Sequence, residues 1–135
     1  MKYGRLNVII GLAVLIIGGF GGFVLGMTLE GAIKDGAYAI PFGRIFSRAG
    51  HTHGMIFAFY NLIAGMLIDR LQYSDRMKRA TSLITAGVFI MTIGLFLRGL
   101  DNGGMTFAPL GLLGGLFFIA SALLVLVGAI KGIDK

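Results

Sequence analysis

The chain has 135 residues, of which 56% are hydrophobic and only 13% charged, and its mean hydropathy is +0.89. A soluble domain is about half apolar and about a quarter charged, so this composition excludes one and marks an integral membrane protein. The lack of cysteine excludes disulfides, iron–sulfur clusters and thioether-linked cofactors.

Four stretches are long enough to cross a hydrocarbon core of about 30 Å: Leu6 to Thr28, His51 to Ile68, Thr81 to Leu97 and Met105 to Ile130. They predict one all-α domain, an integral membrane four-helix bundle. The first stretch follows Lys2 and Arg5 as a signal peptide would, but its apolar run is too long and has no small-x-small cleavage site, so it reads as a retained span. Gly18, Gly22 and Gly26 recur on one of its faces and predict close approach of another helix. The connection from Leu29 to Gly50 carries Tyr38, Ile40, Phe42, Ile45 and Phe46 among a few charges. It reads as a segment lying in the membrane interface and roofing whatever lies below. The second span runs without a charge from Met55 to Ile68, with Asn61 its strongest polar group, and the fourth repeats small-residue packing at Gly111, Gly114 and Gly115.

Basic residues fix the expected orientation. Lys2, Arg5, Arg70, Arg76, Lys78, Arg79, Lys131 and Lys135 fall on one side of the spans, against Lys34, Arg44, Arg48 and Arg98 on the other. Eight against four places both termini in the cytoplasm and the protein in the cytoplasmic membrane. The net charge of +6 therefore serves topology and contact with anionic lipid, and nucleic acid is not expected as a partner.

The chain's two histidines, His51 and His53, open the second span in the segment Arg48-Ala49-Gly50-His51-Thr52-His53-Gly54. An imidazole at the lip of a span is costly without a partner. It can hydrogen-bond a carbonyl or water in the interface, with Arg48 and Arg98 snorkelling beside it. The other reading is a metal ligand, and haem iron suits it: Arg44, Arg48 and Arg98 share the outer side, and arginine forks match carboxylates such as haem propionates. At about 100° per residue the two histidines point about 200° apart, so they cannot clamp one iron together. Either His51 or His53 is then the sole protein ligand, or a methionine or a neighbouring subunit's histidine completes the pair.

Arg48-Ala49 before His51, Asp75-Arg76 in the second loop, Ile93-Gly94 late in the third span and Met105-Thr106-Phe107-Ala108-Pro109 at the start of the fourth together resemble the styrene-oxide isomerase family. These are small four-span proteins holding haem b through one histidine. The resemblance spans nearly the whole chain. It implies haem b, His51 as the metal ligand and Asp75-Arg76 at the family's acid–base position. The chain departs from the family where Phe57 stands for an asparagine and Phe96 for a pocket tyrosine, so Asn61 and Tyr60 are the residues expected to take those catalytic roles. The His-x-His pair is also similar to one in haem-copper oxidases and their small relatives, where the two residues serve different centres.

Three function classes follow. The chain is an isomerase-like enzyme using ferric haem as a Lewis acid on a small apolar substrate, an electron-transfer or accessory subunit of a larger membrane complex, or a structural four-span protein without cofactor. Self-association as a homo-oligomer fits the first two. Every Asp and Glu lies at a span boundary or in a loop, which argues against proton-coupled transport.

Overall fold

The computed structural model describes residues 1–35 and 40–133, so the expectations for Tyr38 and Lys135 lie outside the described residues. Five helices run in the order α1 (Arg5–Lys34), α2 (Phe42–Ile68), α3 (Asp75–Ala86), α4 (Phe89–Leu100) and α5 (Ala108–Lys131). The described residues contain no strand, only an isolated bridge between Leu71 and Ile133. That bridge, the bond from the Gln72 amide to the Gly132 carbonyl at 3.2 Å and the contact of Lys2 with Asp69 gather both ends of the chain at one end of the bundle.

The distribution of side chains is that of a membrane protein. Phe20 is 72% exposed and Ile130 76%, whereas Asn7, Asn61, Thr81, Thr85 and Ser121 are wholly buried. In water this arrangement would expose apolar surface and bury polar groups at a loss; in lipid the outward face is solvated by acyl chains and the polar groups bond one another. Helix α1, the continuous run from Asp75 to Leu100 and helix α5 are each long and apolar enough to cross a membrane, so the chain is a multi-pass membrane protein by length and composition.

Helix α2 is the hub. Its buried residues Gly43, Gly50, Phe57 and Ala64 recur at sevens, interleaved with Gly54, Asn61 and Ile68 at the same spacing. That is a heptad seam made mostly of small residues, the pattern that seats one helix against several neighbours at short distance. A Cβ on Gly54 would stand 3.0 Å from the Thr92 methyl, and one on Gly65 would stand 2.8 Å from the Gly4 carbonyl oxygen, so α4 and α1 close directly on these positions. Phe57, Ala58, Val88 and Phe89 form the apolar core between α2 and the third span.

Two boundaries differ from the sequence reading. The segment from Leu29 to Gly50 is mostly not an interfacial connection: α1 runs on to Lys34 and α2 starts at Phe42 behind Pro41, because nothing between Phe42 and Gly50 breaks a helix and Gly43 and Gly50 pack on α4. The third span is not one unbroken helix either. Around Gly87 the bonding tightens to three-residue turns, Val88 to Thr85, Ile90 to Gly87 and Met91 to Val88, which separates α3 from α4. A Cβ on Gly87 would meet the Phe117 ring at 2.9 Å, so α5 fills the bend. At the far end, Asn102 and Gly103 take left-handed φ values of 46° and 87°, and the Gly103 amide returns to the Arg98 carbonyl at 2.7 Å to stop α4.

Candidate functional site

Because α2 begins at Phe42, His51 stands in its third turn, about 13 Å along the helix axis. The two histidines face opposite ways, as helix geometry requires. His53 turns towards Phe57, its ring centroid 5.8 Å away, and its Nδ1–H donates to the Ala49 carbonyl at 2.8 Å. That is the bond of an ordinary helical histidine. His51 turns towards α1 and has no hydrogen-bond partner among the described residues. Gly22 makes room for it: a Cβ there would lie 2.8 Å from the imidazole Cε1 and 2.9 Å from Nε2.

His51 separates two clefts. One, of about 520 Å³, lies between α1 and α4 over the α2 surface and is walled by Val14, Ile17, Gly54, Met55, Phe89 and Phe96. Among the described residues, Thr92 is the only other polar residue on that wall, and its buried Oγ1 has no partner. Rim residues Ile17 and Ile93 are exposed, so the cleft opens on the lipid-facing surface. The second cleft, about 280 Å³, is lined on its polar side by Arg44, Arg48 and Thr52. Arg44 donates to the Leu25 carbonyl and, at 3.2 Å, to Thr28 Oγ1, while its buried Nε has no partner. Arg48 is exposed and unpartnered among the described residues.

The remaining expected residues lie elsewhere. Arg98 does not line either cleft. Its guanidinium donates to the carbonyls of Gly104 at 2.9 Å and Gly103 at 3.1 Å and stacks 3.9 Å over the Phe46 ring, so its donors hold the α4–α5 turn. Tyr60 and Asn61 are about three turns below His51 and face the interior, not its cleft. Asn61 donates to the carbonyls of Phe57 at 3.0 Å and Thr85 at 3.3 Å and accepts from Asn7. The Tyr60 hydroxyl pairs with Ser121 at 2.8 Å, which pairs with Thr85 at 2.6 Å. Asn7, Ser82, Thr85 and Ser121 were not expected from the sequence as members of any site, since polar residues scattered over three helices have no shared pattern until the helices pack. Asp75, the expected acid of the loop, instead pairs with Lys2 at 3.5 Å on the exposed surface.

Among the described residues no group of three or more His, Cys, Asp or Glu comes together to hold a metal ion. A bare cation would lack ligands here. A metal macrocycle brings its own nitrogen donors and needs one protein ligand, and the surroundings of His51 fit one: an unpartnered imidazole, an apolar cleft beside it, open space over Gly21 and two arginines on the opposite side. No protein-family model, curated protein or solved structure matches the chain.

Proposed function

We propose that this chain is a four-span protein of the cytoplasmic membrane, termini inside, that binds one haem b with His51 as the protein ligand. The observation that carries the reading is the position of His51, unpartnered between an apolar cleft of about 520 Å³ and a polar cleft bearing Arg44 and Arg48. The volume of the apolar cleft suits a drug-sized or cofactor-sized ligand, for which about 300 to 1,000 Å³ is usual. Val14, Phe89 and Phe96 would shield such a group from water, and Arg48, with whatever donors Arg44 keeps beyond Leu25 and Thr28, would offer guanidinium contacts to its carboxylates. His53, already bonded to Ala49, takes no part.

A haem with one protein ligand supplies an open coordination position that can act as a Lewis acid or bind a small ligand. The lipid-facing rim at Ile17 and Ile93 favours an apolar compound delivered from the bilayer. This supports the isomerase-like reading over an electron-transfer subunit.

The test is the absorption spectrum of protein purified from haem-replete cells. The native chain and His53→Ala are expected to show a Soret band and His51→Ala to lack it; a native chain without the band ends the proposal. Orientation is read in the same membranes from a cysteine at Ser74, expected to react only with reagent on the cytoplasmic side. Labelling from outside would invert the topology.

A further inference from the structure

At the end of the bundle where the termini meet, the start of α1 and the first turns of α3 enclose a groove of about 650 Å³, lined by Lys2, Leu6, Asp75, Arg76, Arg79 and Leu83, with Tyr3 and Ser82 at its base. Three cations and one anion leave the lining two charges positive. Asp75 is already matched by Lys2 at 3.5 Å, so the surplus resides on Arg76 and Arg79. Neither guanidinium has a hydrogen-bond or ionic partner among the described residues. Three residues apart, they stand on the same face of α3, and Leu83 continues that face one turn deeper. Leu6 faces it from α1, and the two leucines remain 41% and 57% exposed.

The groove is thus graded along α3, with paired guanidinium forks at the mouth and an uncovered apolar wall one turn further on. A free phosphate would use only the first part and leave the leucine wall bare, and a neutral lipid would leave the forks without a counter-ion. We infer that the groove between α1 and α3 is a binding site for one anionic phospholipid, its phosphate held by Arg76 and Arg79 and its first acyl segment lying on Leu6 and Leu83. Basic pockets between membrane helices take anionic headgroups in this way. The base of the groove joins the interior, because the Ser82 hydroxyl shares its one proton between the Tyr3 carbonyl at 2.8 Å and Asn7 Oδ1 at 2.6 Å. A lipid seated there therefore braces the polar contacts that hold α1 to α3.

The full chain in neutral detergent is titrated with phosphatidylglycerol, phosphatidylcholine or inorganic phosphate, following retained lipid by native mass spectrometry and melting temperature by circular dichroism. Phosphatidylglycerol is expected to bind one per chain at least tenfold more tightly than phosphatidylcholine and to raise the melting temperature, whereas inorganic phosphate does neither. Arg76→Gln with Arg79→Gln should lose that preference, and Arg70→Gln, outside the groove, should keep it. Both arginines are exposed, so the double variant is expected to fold, and its unliganded melting curve verifies this. Equal binding of the two lipids by the native chain, an unchanged preference in the double variant, or the same stabilisation by inorganic phosphate would each overturn the assignment.

Discussion

The side-chain amide of Asn7 on α1 donates to Oδ1 of Asn61 on α2 at 2.9 Å, and both residues are wholly buried. The same Asn7 amide reaches the Ser82 carbonyl at 3.0 Å, and Asn61 passes the chain of bonds to the Thr85 carbonyl. From Thr85 it continues through Ser121 to Tyr60, so one hydrogen-bonded system ties α1, α2, α3 and α5 together inside the bundle. Lipid tails are as apolar as leucine, and burial of apolar surface therefore does little to hold such helices together. Packing of small residues and bonds of this kind must do it.

Asn61→Leu leaves the Asn7 amide short of an acceptor and the Thr85 carbonyl short of a donor. It is expected to destabilise the protein by about 1 to 3 kcal/mol in reversible unfolding in micelles. Asn7→Leu should cost a similar amount. In the double variant the losses should fall short of their sum by about 0.6 kcal/mol, and by no more than about 1.7, as for other interhelical bonds in membranes. Strict additivity would show that the two amides act independently.

The helical class and the opposed facing of the histidines can be read from the sequence, because each follows from hydropathy or from about 100° of rotation per residue, whereas the glycine stripe predicts only the approach of another helix and not that Gly22 meets His51. The start of α2 could not be read either. Arg44 and Arg48 make its first turns look like a loop, and only packing of Gly43 against the Gly99 carbonyl and of Gly50 against Phe96 shows why a helix forms there. Helix α2 is also less apolar than the other long helices, because one face seats Asn61 and small residues against its neighbours while Ile56, Phe59, Ile63 and Met66 form an exposed apolar face. Arg98 was expected beside the histidines as the third outer arginine, but the turn after α4 exposes two glycine carbonyls within its reach, and it is spent on them. Likewise Tyr60 and Asn61 look like the polar equipment of a site near His51 until the register of α3 and α5 supplies Thr85 and Ser121 as their partners.

Asp69, which follows α2, anchors the entry to α1. Gly4 precedes α1 with no side chain to act as a cap, and the Asp69 carboxylate instead fixes the segment leading into the helix, accepting from the amides of Tyr3 at 2.8 Å, Lys2 at 3.0 Å and the N-cap Gly4 at 3.1 Å. Partial burial pushes its carboxyl up, but the amide bonds from Tyr3, Gly4 and Lys2, together with the N-terminal ammonium, outweigh that and hold it below the ordinary 3.8. A folded value below the unfolded one means that the unfolded chain takes up the proton first. The stability from this contact is therefore complete above the unfolded value and is lost as pH falls through the folded one. The group is largely open to water, so the effect is modest. The melting temperature should fall between about pH 5 and pH 3 in the native chain. Asp69→Asn should start lower and show a shallower slope over that interval. An equal slope in the variant would assign the acid sensitivity to other carboxylates.

The glycine stripe of α1 divides into positions with different jobs. Gly18 and Gly22 face Met55 and His51 of α2, whereas a Cβ on Gly26 would meet nothing within 4 Å. Gly26→Ala is therefore expected to leave melting within about 1 kcal/mol of native, in the direction set by the better helix propensity of alanine. Gly22→Ala cannot be absorbed in that way, since the new methyl and the imidazole would overlap at 2.8 Å and one of them must move. His51 is held by no hydrogen bond among the described residues, so the ring is the part that yields. If that ring ligates haem iron, Gly22→Ala should shift the Soret band and lower haem content several-fold, and Gly22→Leu should lose the haem, with both proteins still helical by circular dichroism. Gly26→Ala, which touches the polar cleft but not the imidazole, should keep the native Soret position. Spectra of the Gly22 and Gly26 variants that cannot be told apart would mean that the imidazole facing α1 has no part in holding the cofactor.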